Sequence, residues 1–427
     1  MSHFARLAGC IAGAGLVLLL SNAAQAQTIT VWSGYPELEP FYKRVGEAMK
    51  AKRPALKVEV SIIPLREHEK RVALALPAGA AGDVIEMVNA MAQRYVEAGL
   101  LKPTTPEAAA FVNNNTHFDP FMQKVAAWQG KTYGVPLFRG QTALYYNTEM
   151  FAKAGLAGPP KTMAEFDDFA KKLVQRNAQG VATVSGWSLR LSGGGSGVAD
   201  KFSINLFQHG GSILEPRPDG KWVTSYASEA GRKTVRQYVD NIHIAKVVTP
   251  EMPADTDAFQ REQTAMFIRE SSVIGDTALK APKLKYAAAP LPRGSIVVPV
   301  LLYTGADGEK AKLAFEYAMA ANEPEQLAWM LKNVGWLPNR KDVDLKPIIA
   351  ETPALAAFVA PPANYAYFDT PAIAVAEEIY TRLATRLVRA YADASLAGND
   401  AAIDAFLKEA AAESDTILRR AGLLGTR

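Results

Sequence analysis

TITVWSGYPELEPFYKRVGEAMKAKRPALKVEVSI, residues 28–62, reads as strand, helix and strand in one pass. Thr28-Ile29-Thr30-Val31 alternates polar and apolar residues, the two-residue period of a strand with one covered face. Leu38, Phe41, Val45, Ala48 and Met49 then recur at helical spacing across residues 37–50, and Pro54 ends that helix. Leu56, Val58, Val60 and Ile62 alternate with Lys57, Glu59 and Ser61, a second strand. Two strands joined through a helix make a βαβ unit, so a parallel sheet with helices on its faces is the predicted architecture.

The same alternation of elements continues outward. A helix is predicted over 66–76, and Asp83-Val84-Ile85-Glu86-Met87 is a short buried strand. Thr132-Tyr133-Gly134-Val135-Pro136 and Thr142-Ala143-Leu144-Tyr145-Tyr146-Asn147 read as two strands joined by Leu137-Phe138-Arg139-Gly140-Gln141. Thr162 caps a helix whose Glu165 closes a capping box, with Phe166, Phe169, Ala170 and Leu173 on the apolar face. Helices fit 199–209 and 228–241, and strands fit Ala265–Ile268 and Val297–Tyr303. From Glu309 the chain is mostly helical, broken at Asn322-Glu323-Pro324 and at the turn Gly335-Trp336-Leu337-Pro338, with alanine-rich helices over 371–396 and 398–420.

The chain has 427 residues, 47 Lys+Arg against 43 Asp+Glu, and a formal net charge of +4. That length suggests two or three domains, and so small a charge points to no nucleic-acid partner and no anionic membrane surface. Arg6, the apolar run Leu7–Leu20 and the small-residue end Ala24-Gln25-Ala26 describe a secretory signal peptide over 1–26. Leu7-Ala8-Gly9-Cys10 stands at the start of the apolar run instead of following it, so no lipid anchor is expected. Cys10 is the only cysteine. The exported chain would therefore be held by a large core without disulfides.

No glycine pair is followed by Lys-Ser or Lys-Thr, and no Gly-x-Ser-x-Gly elbow occurs. His68, His117, His209 and His243 are too far apart in sequence for a helical zinc pair. No cofactor, metal or catalytic residue is expected. A secreted glycoside hydrolase stays open as an alternative, because it needs only two carboxylates across a cleft, and Glu37, Asp83, Glu86 and Glu270 are conceivable members.

Several segments form an ordered set: Val31-Trp32-Ser33-Gly34-Tyr35, Tyr133-Gly134-Val135-Pro136, Ala143–Asn147, Lys153-Ala154-Gly155-Leu156 with Pro160-Lys161-Thr162, Ala265-Met266-Phe267-Ile268, and Asn333–Arg340. Together they resemble family 1 of the bacterial extracellular solute-binding proteins, the maltose-binding-protein-like receptors of ABC importers. The resemblance implies the two-lobed periplasmic binding protein fold, an α/β fold in which each lobe is a mostly parallel sheet flanked by helices. Ligand is held in the cleft between lobes. It places the first lobe at 27–137 with 295–335, the second at 138–290 with 336–427, and crossings near 137–141, 289–296 and 334–338. It also implies a monomeric periplasmic receptor that closes over a carbohydrate and hands it to membrane permease subunits.

Sugars offer an apolar C–H face and a rim of hydroxyls, which call for aromatic platforms and convergent polar groups. Ligands of parallel sheets sit outside the carboxyl ends of strands. On that placement, Trp32 and Tyr35 are candidate platforms, with Glu37, His68, Asp83, Glu86 and Asn89 nearby. Phe138, Arg139 and Gln141 lie in the first crossing. Trp187 comes just before the glycine-rich loop Ser192–Gly197 and Gly194 lies within it, Arg269 and Tyr303 end strands, and Trp336 lies in the third crossing. Where the family usually carries Gly-Pro-Trp, this chain has Arg269-Glu270-Ser271. That departure points to a second candidate ligand, an anionic sugar derivative or polyol phosphate held by Arg139 and Arg269.

Overall fold

A computed structural model describes residues 27–192, 195–249, 255–360 and 362–426. The predicted signal peptide and Gly194 lie outside the described residues. The opening unit is β1 (Gln27–Ser33), α1 (Glu39–Lys52) and β2 (Leu56–Ile62), with β1 and β2 parallel in the register Gln27 to Leu56. Phe41, Val45 and Met49, one turn apart on α1, are buried against the sheet. Each such side chain contributes about 1.5–3 kcal/mol. Lys50 and Lys52 in the last turn complement the helix dipole. Next come α2 (Leu65–Ala75), β3 (Val84–Val88), parallel to β1, and α3 (Asn89–Glu97).

The two strands read on either side of residues 137–141 are one continuous strand, β4 (Val135–Asn147). Arg139, Gly140 and Gln141 look like a linker in sequence. In the fold all three are paired with β7, and Arg139 also with Leu337 on its other side, which overrides local propensity. Further along lie α4 (Met163–Leu173), capped by the Thr162 hydroxyl, and α5 (Gly197–Gln208). Then come β5 (Met266–Glu270), β6 (Tyr286–Ala289) and β7 (Gly294–Tyr303). The helices α6 (Gly308–Ala321) and α7 (Pro324–Val334) follow, with β8 (Leu337–Pro338), β9 (Ala366–Phe368), α8 (Ala376–Ala392) and α9 (Asp400–Arg420).

The nine strands form a sheet in the order β5-β4-β7-β3-β1-β2, with β6 and β8 also on β4 and β9 on β7. Parallel pairing is confined to β1 with β2 and β3, and to β7 with β9. The sheet is therefore mixed, and the expected mostly parallel sheet in each lobe gives way to antiparallel pairing along β4. The reason is that β4 and β7 are long and run through both lobes, so the second lobe builds outward from them by antiparallel addition. Their register shifts between Val300 and Leu301, within the first core.

Each lobe has its own core. The first draws on residues from Ile29 to Phe138 and from Val300 to Val343, the second on residues from Leu144 to Ile296 and from Ile373 to Leu418. A smaller core under β4, β5 and α7 includes Tyr145, Phe267 and Phe358. No helix among the described residues is long and apolar enough to cross a membrane.

Candidate functional site

The carboxyl ends of β1 and β3, the start of α2, the middle of β7, the start of α5 and the end of β5 surround a cleft of about 300 Å³ between the two cores. Its aromatic wall joins residues far apart in the chain, Tyr35 and Trp336. Trp336 stands just past α7, placed there by Gly335, which ends α7 in a left-handed conformation (φ 89°) with its N–H donating to the Met330 and Leu331 carbonyls. A side chain at Gly335 would press on the Ser271 carbonyl. The Tyr35 ring meets Trp336 edge-on at 5.2 Å, and Phe138 closes the cluster from behind at 5.5 and 4.9 Å. The Trp336 indole N–H donates to Glu37 Oε1 at 3.1 Å, which also fixes Glu37 in the wall.

The polar lining is dominated by two groups of charges. In the first, Glu270 Oε1 accepts from Lys201 Nζ at 2.9 Å, and its Oε2 faces Arg269 Nε at 3.0 Å, while Arg269 Nη1 lies 3.5 Å from Asp255. Burial alone would raise the Glu270 pKa. Two cations on one carboxylate outweigh that and hold it down at about 2. Burial, with repulsion from Arg269, pulls the Lys201 ammonium below its usual range against the attraction of Glu270. The second group spans the lobes. Arg66 on α2 pairs with Glu69 at 2.8 Å, reaches Glu377 on α8 at 3.9 Å, and donates to Ser196 Oγ at 3.4 Å. Ser196 in turn donates to Asp200 Oδ2 on α5 at 3.0 Å. Burial raises Asp200 to about 6, against the lowering effect of Ser196 and Arg66. Burial, with repulsion from Glu69 and Asp200, raises Glu377 to about 7.

Among the candidates from sequence, Tyr35, Glu37, Asn89, Arg269 and Trp336 line this cleft. The others described do not. Trp32 packs in the first core, with the Arg71 guanidinium 3.3 Å over its ring and Gly82 against its edge. The strand reaches the cleft only past Ser33. Asp83 lies before β3, away from its cleft end, and accepts from Thr30 N and Oγ1 at 2.9 Å beside Lys310. Glu86 and His68 are buried beneath the cleft wall, with His68 Nε2 donating to the Glu86 carbonyl at 2.8 Å.

Arg139 and Gln141 project from the side of β4 opposite Gly140, the residue that faces the cleft. Arg139 donates to the Pro338 carbonyl at 2.5 Å and Gln141 to the Phe358 carbonyl at 2.6 Å. Strand alternation is the cause: one position of parity separates a cleft residue from one behind it. Phe138 is wholly buried, Trp187 packs on Phe166 in the second core, and Tyr303 packs on Gly134.

Sequence reasoning missed Arg66, Glu69, Arg190, Asp200, Lys201 and Glu377, and it named Glu270 only as a possible half of a catalytic pair. Arg66 and Glu69 look like any ion pair on an exposed helix. Asp200-Lys201 did carry a signal, since the surrounding Val198, Ala199, Phe202, Ile204 and Leu206 are apolar on every side. Charges inside a helix that is otherwise buried all round need partners.

A model of the bacterial extracellular solute-binding proteins matches residues 45–357. A putative binding protein of Brucella abortus (strain 2308) is 24% identical over 433 residues, covering 97% of this chain and 98% of the relative. An ABC transporter solute-binding protein of Thermotoga lettingae, bound with alpha-D-tagatose, matches with TM-score 0.78 at 21% identity, over 92% of this chain and 100% of that one. An ABC substrate-binding protein of Listeria monocytogenes in complex with cycloalternan matches with TM-score 0.77 at 20% identity, over 93% and 99%. At such identities the two structures speak for a shared fold of two α/β lobes.

Proposed function

The chain belongs to the bacterial extracellular solute-binding proteins, and from that premise we propose that it is the periplasmic receptor of an ABC importer for a small neutral sugar or polyol. It is exported by its signal peptide, closes over its ligand, and delivers it unchanged to permease subunits. The lobes move about the segments 137–141, 289–296 and 334–338, and ligand favours closure only by binding the closed form more tightly. The observation that carries this reading is the interlobar cleft, with its Tyr35–Trp336 wall beside a rim of charged hydrogen-bonding groups. Its volume of about 300 Å³ suits a mono- or disaccharide.

The same geometry favours a neutral ligand over an anionic one. Arg139 is turned away to Pro338, Lys201 and Arg269 are matched by Glu270 and Asp255, and Arg66 is outnumbered by Glu69, Asp200 and Glu377. An anion would find no free cation in these groups, and Arg190, the remaining cation of the lining, stands in the field of Asp200. Intrinsic fluorescence and thermal-shift titrations with neutral sugars, polyols, sugar acids and sugar phosphates test this. Neutral members should raise the melting temperature, and chromatography should recover them intact. A response confined to the acids and phosphates, or to no compound at all, would refute it.

A further inference from the structure

We propose that Glu86, buried beneath the cleft wall, is a positioning residue that fixes the loop after β1 and so holds the Tyr35 ring where ligand meets it. This rests on the reading of the cleft as the ligand site. Glu86 is 1% exposed on a strand whose other buried members, Val84, Ile85 and Met87, are apolar. Its Oε1 accepts from Ser33 Oγ at 3.0 Å and from the Gly34 N–H at 3.2 Å. Ser33 Oγ in turn accepts from the Tyr35 N–H at 3.1 Å. Three successive residues thus send their donors, directly or through one hydroxyl, to a single carboxyl. Beyond them the chain turns into the cleft with Tyr35.

The loop has no slack on its other side. A Cβ at Gly34 would sit 2.9 Å from Leu65 Cδ1 and 3.2 Å from the His68 ring. Glu86 is also held from three helices, at its carboxyl by Tyr42, at its backbone by His68, and through Tyr42 by Tyr317. Tyr42 of α1 hydrogen-bonds its Oε2, His68 of α2 bonds its carbonyl, and Tyr317 of α6 bonds the Tyr42 carbonyl at 2.7 Å. Glu37 is the charged neighbour on the cleft side. An apolar side chain at this position would continue the core, but it would strand the buried Gly34 N–H and release Ser33. Burial raises the Glu86 pKa to about 8 against the hydrogen bonds from Tyr42, Gly34 and Ser33, so near neutrality the carboxyl is largely protonated and acts as an acceptor without a full charge.

The test uses the full chain with Glu86→Gln, which keeps the acceptor, and Glu86→Leu, which removes it. D-tagatose, lactose and maltose serve as probes, titrated by fluorescence from pH 6 to 9. Gln should bind the responding probe within about twofold of the parent, and Leu at least about tenfold more weakly. Parent-like affinity in the Leu variant, or equal losses in both, would overturn the assignment. Crystal structures of the two variants decide it even if no probe binds, an outcome that counts against the sugar reading alone. The Tyr35 ring should stay in place with Gln and move with Leu, and an unmoved ring in the Leu variant would refute the role. If Leu prevents folding, Ser33→Ala replaces it, and the ring should again shift.

Discussion

Replacing Glu270 by glutamine removes the one carboxylate shared by Lys201 and Arg269. In the folded chain its pKa is about 2 against an ordinary 4.5. That depression means the charged form stabilises the fold. The contribution is complete above the unfolded value and is lost as pH falls toward the folded one. The fall from 4.5 to about 2 corresponds to about 3 kcal/mol at pH 7. Breaking a buried pair from one side gives a similar figure, about 3–5 kcal/mol, because Lys201 keeps its burial and loses its partner. At pH 3 the parent has already lost about half of the contribution. Urea denaturation without sugar should therefore show the variant about 3 kcal/mol less stable at pH 7, with the gap narrowing to about 1.5 kcal/mol at pH 3. A variant of parent stability at pH 7, or an equal gap at both values, would refute the account of the charged lining.

Three further outcomes follow from the same geometry. Trp336→Ala should weaken sugar binding at least about tenfold by removing the aromatic wall, whereas Trp187→Ala should lower stability by about 3–5 kcal/mol through a core cavity, with fluorescence titration and denaturation separating the two. Gly140→Leu should abolish the sugar-induced thermal shift while the unliganded protein melts normally, since a Cβ there meets Val298, Glu270 and Trp336 only at ordinary contact distances of 3.5 to 3.7 Å. Glu377 titrates near 7, above the usual carboxylate range, so it favours the folded form in acid and this advantage fades as pH rises from about 4.5 through 7. Glu377→Gln should thus gain about 1 kcal/mol at pH 8 after allowance for its partial exposure and nothing at pH 4, read from denaturant midpoints.

The elements were legible wherever the apolar period was clean. The βαβ unit, the Thr162 cap and the helix that follows it can each be derived from a few neighbouring residues. The site was legible only where it coincides with a chain landmark. Tyr35 and Glu37 follow the first strand, Asn89 follows the third, and Trp336 sits in a turn marked by Gly335 and Pro338. Arg139 and Gln141 were chosen from the right segment but project from the wrong side of it. Their orientation depends on how β4 pairs with β7, about 150 residues away, and a shift of one residue would have exchanged them with Gly140. Arg66, Glu69 and Glu377 carried no signal, because a charged residue on a helix looks the same whether it faces bulk water or a wet cleft.

Local sequence by itself determined the succession of strands and helices, since whether apolar residues recur every two or every 3.6 positions is set by neighbours on the chain and needs no knowledge of the rest. Only the tertiary structure decided that residues 135–147 form one unbroken strand through both lobes, that Arg66, Lys201 and Arg269 face carboxylates in the cleft, and that Glu86 braces Tyr35 from below. Each of these joins groups far apart in sequence, and their meeting depends on register and burial, which no local pattern records.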